Sequence, residues 1–172
     1  MINTLKTIKK IKADSELGKK KHFNAADRKE KRHNFIVVSL IIFNLFTLSA
    51  LYYVIISSEN PLVKYGALFL NLLAVVLSWL QTFYNFQRDV IGHRRIGNKY
   101  LSVMKKCDRI HAYLSDGIIK SDDAIQFVDK LGEQADRVNQ EAEEYPTNSS
   151  DYAQSRYGIS TGEEDYTPEE LE

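Results

Sequence analysis

Two long stretches of this chain carry no charge. Residues 35–58 (24 residues) and residues 65–86 (22 residues) contain no Asp, Glu, Lys, Arg or His, and only Glu-Asn-Pro-Leu-Val-Lys at 59–64 separates them. At about 1.5 Å of rise per residue, each run as a helix is long enough to cross a hydrocarbon core of ~30 Å. Both runs are apolar all round rather than on one face, the pattern of a helix with apolar surroundings on every side. The other 120 residues hold 44 of the 46 charges, too polar a supply to wrap two such helices in a soluble core. The pattern predicts a transmembrane hairpin over residues 35–86, with spans at 35–58 and 65–86.

Past residue 86 the apolar positions become periodic. His93, Ile96, Tyr100, Val103, Cys107, Ile110 and Leu114 step alternately by three and four, and no Pro intervenes. This predicts a helix to about Ser115 that stops at Asp116-Gly117, since Gly readily takes the left-handed conformation past a helix end. Ser121 is the expected cap of the next helix, with Asp122 and Asp123 in its first turn. There Ala124, Val128, Leu131, Ala135, Val138, Ala142 and Tyr145 repeat the alternation, and Pro146 ends it. Two heptad seams with a short link predict an antiparallel coiled coil, a cytoplasmic helical hairpin over residues 87–145. Cys107 falls in the first seam, where it reads as a buried structural thiol.

Residues 1–34 are a basic segment. Ile2, Leu5, Ile8 and Ile11 recur at helical spacing among lysines. This fits a short helix lying in the membrane interface, or a frayed basic tail; near an anionic leaflet each Lys contributes roughly 1 kcal/mol in either case. Asn24 is the expected N-cap of a helix that runs through Arg28, Lys31, Arg32 and His33 into the first span.

The formal net charge is zero, but the distribution is uneven. Residues 1–34 carry 11 Lys/Arg against 4 Asp/Glu, residues 87–120 carry 8 against 3, and the turn carries one of each. Residues 121–172 carry 3 against 15. Basic flanks around a neutral turn put both termini in the cytoplasm and the turn outside. The 34-residue polar leader and the length of the first run exclude a cleavable signal peptide, and a single cysteine excludes a disulfide framework.

Polar residues inside the spans are few. Asn44 lies in the first; Asn71, Ser78, Thr82 and Asn85 lie in the second, with Asn71, Ser78 and Asn85 repeating every seven residues. Such a stripe is either a packing seam, where small residues and amides join helices, or the lining of an oligomeric pore. No Asp, Glu, Lys, Arg or His lies inside either span, which argues against a proton relay. Trp79, Tyr84, Tyr52 and Tyr53 read as interfacial aromatics.

Residues 146–172 are acidic and read as mostly disordered. Tyr152, Tyr157, Glu163, Glu164 and Tyr166 are spaced through them as a candidate partner-docking peptide, or as part of a solvated tail. Asn148-Ser149-Ser150 matches a glycosylation sequon, which a cytoplasmic location leaves unused. The chain has no Gly-rich phosphate loop, nucleophile elbow or metal-spaced Cys/His cluster, so it predicts no enzyme, no cofactor and no metal. His33 and His93 are placed to meet near the inner membrane surface as packing residues. The basic flanks abut the spans and so suit anionic lipid, not nucleic acid.

The order of parts resembles a known family. A basic leader ends in Arg32-His33-Asn34, a two-span hairpin follows, and the next helix bears His93-Arg94-Arg95 and Tyr100. Then come Asp151-Tyr152-Ala153, Arg156-Tyr157-Gly158-Ile159 and Gly162-Glu163-Glu164-Asp165-Tyr166-Thr167. This resembles the SLATT family, the SMODS/SLOG-associating two-transmembrane effectors, over roughly residues 20 to 170, and the tail is most similar to its fifth subfamily. The resemblance implies a pore-forming effector of a bacterial anti-phage or other conflict system, released by a sensor protein. That sensor would be a reverse transcriptase or a nucleotide-signal system. No catalytic residues come with the family.

The expectation is an all-α membrane protein: a transmembrane hairpin, a cytoplasmic antiparallel hairpin and an acidic tail. It oligomerises in the lipid bilayer and permeabilises the membrane when triggered. The alternative is a membrane-anchored scaffold whose tail recruits a soluble partner and which forms no pore.

Overall fold

The computed structural model describes residues 2–57, 61–84, 86–163 and 165. Among them the chain is helical without strands: α1 (Ile2–Ser57), α2 (Pro61–Tyr84), α3 (Phe86–Ser115), α4 (Ser121–Ala142) and α5 (Ser149–Ser160). The chain divides into two compact units, with boundaries inside α1 and near the start of α3. One comprises Met1–Asp27 and Val90–Glu172, the other Arg28–Asp89.

The Arg28–Asp89 unit holds the two apolar helical stretches, and both α1 and α2 are long and apolar enough to cross a membrane. Its large hydrophobic side chains point outward: Phe35 is 75% exposed, Leu48 65%, Leu62 78% and Leu72 63%. The covered positions include a stripe on each helix: Ile36, Leu40, Phe43, Thr47 and Ala50 on α1, and Val63, Ala67, Leu70, Ala74 and Leu77 on α2. Soluble monomers rarely expose contiguous apolar patches beyond a few hundred Å², so this surface requires lipid or protein around it.

The other unit is built the opposite way. Ile96, Tyr100, Val103, Cys107 and Leu114 of α3 are buried with Ala124, Leu131 and Val138 of α4. The two helices run antiparallel, since Lys99 pairs with Glu141, Tyr100 with Asn139 and Lys106 with Gln134. Gly117, at φ 70°, ends α3 in the left-handed conformation, and the amide of Ile118 donates to the carbonyl of Tyr113. The α4 cap is Lys120, not Ser121: the amides of Asp123 and Ala124 bond the Lys120 carbonyl, so the first turn closes one residue earlier.

Residues 2–12 lie in this unit, not in a membrane interface. Ile8 is 1% exposed inside the α3–α4 core, with Leu5 and Ile11 packed beside it. The lysines flank that apolar stripe as polar sides, and Lys12 pairs with Asp108 at 2.6 Å. That ion pair raises the Lys12 pKa, its hydrogen bond outweighing partial burial. α1 is therefore continuous where a new helix was expected, and Asn24 is an interior residue of it, not an N-cap.

Composition read residues 146–172 as mostly disordered; the structure forms α5 there. Asn148 is its N-cap in a capping box: its side chain accepts from the Asp151 amide at 2.8 Å, and the Asp151 carboxylate accepts from the Asn148 amide at 2.9 Å. Two backbone donors at the helix start are thereby satisfied locally, which a 12-residue helix needs because isolated short helices are marginal.

Candidate functional site

Two sets of polar residues stand out, one in each unit, and each is described within its own.

In the Arg28–Asp89 unit, Asn44, Asn71, Ser78 and Thr82 are all exposed. None lies on the covered stripe formed by Leu40 and Ala74 and their neighbours. Thr82 is satisfied within its own helix, its Oγ1 donating to the Ser78 carbonyl at 3.0 Å, and Ser49 does the same to Leu45 at 2.9 Å. In hydrocarbon, Asn44 and Asn71 would stand against a medium without hydrogen-bond partners. Asn85, the last member of the seven-residue repeat, lies outside the described residues, as do Glu164 and Tyr166.

In the other unit a polar node forms inside the bundle. His22 of α1 and His93 of α3 are 3% and 0% exposed. Their Nδ1 atoms lie 3.0 Å apart, so one ring must donate a proton and the other accept. The expected partner of His93 was His33; the structure gives it His22, while His33 belongs to the other unit. Tyr100 lies 5.8 Å from the His22 ring, and Tyr145 meets His93 edge-on at 5.8 Å. Burial, then the charges of His93 and Lys21, lower the His22 pKa to about 4, with Asp151 opposing. His22 is therefore neutral at pH 7.

Two glycines let the rings in. A Cβ on Gly92 would sit 1.9 Å from a Tyr145 ring carbon, and one on Gly18 would sit 2.9 Å from three Tyr100 ring atoms. The Tyr100 hydroxyl donates to Asn139 Oδ1 at 2.7 Å, and burial raises its pKa.

The tail helix closes over this region through polar contacts. The buried residues of α5 are Asp151, Ser155 and Gly158, spaced by four and three and without a large apolar side chain. Asn24 Nδ2 donates to Ser155 Oγ at 3.0 Å, and Ser155 Oγ donates to the Asp151 carbonyl at 2.6 Å. Lys20 pairs with Glu163 at 3.0 Å, its side chain 6% exposed. Of the tail residues singled out from sequence, Glu163 is thus engaged, while Tyr152 and Tyr157 are 45% and 71% exposed. The sequence offered no sign of His22, Asn24, Asp151 or Ser155 as a group, because α1 and α5 supply them from opposite ends of the chain.

Cys107 is buried, and burial pushes its thiol up to about 11, which leaves it protonated and unreactive at neutral pH. Among the described residues, no three His, Cys, Asp or Glu side chains are grouped to hold a metal ion.

Comparison with curated proteins and with solved structures returned no match. A family model does match, and its span includes both polar sets and most of the tail; it is the family 4 model, where the tail motifs had suggested the fifth subfamily. Since residues 15–171 fit the model described as SMODS and SLOG-associating 2TM effector domain family 4, the chain belongs to the SLATT family and is a two-transmembrane effector domain protein.

Proposed function

We propose that this protein assembles in the bacterial inner membrane and permeabilises it when triggered. Basic flanks on both sides of the spans support cytoplasmic termini. The observation that carries the proposal is the outward placement of Asn44, Asn71 and Ser78 on an otherwise apolar helix pair. Polar side chains within a bilayer turn toward another helix or toward water. Here the pair's own covered stripe does not take them, so neighbouring copies or a shared aqueous path must. The bundle of α1, α3, α4 and α5 supplies the control element, and no step requires catalysis or a cofactor. Membership of a family described as SMODS and SLOG-associating supports a separate sensor protein of a nucleotide-signal system as the trigger.

The scaffold reading is favoured by one observation: Tyr152 and Tyr157 face outward on a well-formed helix and could hold a soluble partner.

The assembly step is tested by cysteine cross-linking in native membranes. With Cys107→Ala as background, Asn71→Cys should form disulfide-linked dimers under mild oxidant, and Ala74→Cys, on the covered stripe, should not. Equal absence of cross-links at positions 44, 71 and 78 would contradict the assembly.

A further inference from the structure

Among the described residues, the α3–α4 pair has two long grooves, and only one is filled. α1 lies along the first, where Ile8 and Ile11 pack and where Lys12 meets Asp108. A cavity there is lined by Ile11 and Ser15 of α1 with Ala135 and Asn139 of α4. The second groove is lined only by α3 and α4. Its upper part has Lys99, Lys106 and Arg137 along it, with Glu141 held by Lys99. Its lower part is a cleft of about 250 Å³ between Tyr113 and Phe127, floored by Ile110 and Leu131 and rimmed by Lys106, Arg109 and Lys130. Tyr113 and Phe127 are 43% and 38% exposed. An apolar notch that can admit one aromatic side chain, ringed by three cations, is suited to an acidic peptide with an aromatic anchor.

This chain carries such a peptide. Residues 163–172 contain six Asp/Glu and no Lys or Arg, with Tyr166 among them. We propose that this acidic segment of a second copy docks in the open α3–α4 groove, with Tyr166 in the Tyr113–Phe127 cleft. The proposal deepens the assembly reading above and rests on it.

A second copy is favoured over the chain's own tail by reach. Glu163 is held on α1 by Lys20, and Tyr166 follows three residues later, an extended span of about 10 Å. The cleft lies on the side of α3–α4 that α1 does not cover. Lys20 is eight residues, about 12 Å, along α1 from the Lys12–Asp108 pair that marks the cleft's level. A path that must also round a helix about 10 Å thick exceeds the reach of Tyr166. A tail-into-groove contact is heterologous: each copy offers its tail to one neighbour and its groove to another. Repetition closes a ring when the rotation allows it.

The test is photo-cross-linking of the full-length chain in membranes. A benzoylphenylalanine replaces Phe127, and nitrogen-15-labelled and unlabelled copies are purified separately, mixed in detergent and reconstituted together into vesicles before irradiation. Trypsin cuts after Arg156, so a captured tail appears as the 157–172 peptide. The expected result is heavy–light adducts between the groove and this peptide. Their yield should fall roughly tenfold on Lys106→Glu with Arg109→Glu and Lys130→Glu, and fall on raising the salt to 0.5 M. A milder variant, Tyr166→Ala, should lower the yield without altering the bundle. Adducts only between segments of the same isotope would overturn the proposal, as would capture of lipid or another protein, or no capture. In those cases, surviving Asn71→Cys cross-links would leave the assembly reading standing and remove only the tail docking.

Discussion

The two units of this protein use the same helical periods with opposite polarity. In the bundle, Ile96, Val103, Leu114 and Leu131 are at most 5% exposed. In the Arg28–Asp89 unit, Phe35, Leu48, Leu62 and Leu72 are the exposed residues, and the covered stripe includes Ala74. Polar groups invert as well. The bundle buries His22, His93, Asp151 and Ser155 and pairs them; the other unit turns Asn44 and Asn71 outward. The contrast teaches that what surrounds a helix, not its apolar content, decides which face carries specificity. In water, apolar burial holds the fold and buried polar pairs choose its arrangement. In lipid, apolar contact is nearly neutral between neighbours, and the polar positions select partners.

The largest effect expected from this contrast comes from truncating equivalent leucines. Leu131→Ala in the bundle leaves a cavity and should cost about 2–5 kcal/mol. Leu72→Ala exchanges lipid contact for lipid contact and should cost under about 1 kcal/mol. Guanidinium unfolding of each variant in detergent, followed by bundle protease resistance, separates them; equal losses would break the comparison.

Acid comes next. In the unfolded chain His22 titrates near 6.5, whereas in the fold it is held at about 4 by burial and by the neighbouring His93 and Lys21. Between these values the unfolded state binds a proton that the folded state refuses, so stability rises with pH across that window. The contribution is complete above pH 6.5 and is lost as pH falls toward 4, by up to about 3 kcal/mol. His22→Gln should flatten the pH dependence of the bundle's thermal midpoint between pH 7 and 4.5. An unchanged slope would mean that His22 is not held neutral in the fold.

Gly92→Ala forces a methyl group into the Tyr145 ring and should destabilise by about 1–3 kcal/mol. Gly92→Ala with Tyr145→Leu should recover part of the loss. The smallest effect has the opposite sign: a Cβ on Gly132, inside α4, meets nothing within 4 Å, so Gly132→Ala should stabilise by about 0.5–1 kcal/mol. Thermal midpoints of the three variants order these effects.

What could be read from the sequence follows the range of the interactions. The absence of charge over residues 35–58 marks an apolar helix directly, and the three-four step from His93 to Leu114 picks out positions that are buried in α3. Lysines between Ile2, Leu5, Ile8 and Ile11 look alike beside a lipid surface or beside a protein groove, so the place of residues 2–12 was not legible. α5 was hidden because its buried face is Asp151, Ser155 and Gly158, residues that composition counts as solvated. Only Asn24 and Lys20, more than a hundred residues earlier, make that face a docking surface. His22 and His93 are 71 residues apart and share no local pattern.

The claim most open to test is that the outward amides line a water path. Asn44→Leu with Asn71→Leu preserves helix length and apolar packing while removing the amides, and hydrophobic constrictions close pores by dewetting. The measurement is dye and ion leakage from liposomes holding the purified protein with its trigger, beside cross-linking at Ser78→Cys to report assembly. The account predicts that the double variant assembles like the parent and leaks far less. An assembled double variant that leaks as much as the parent would contradict it.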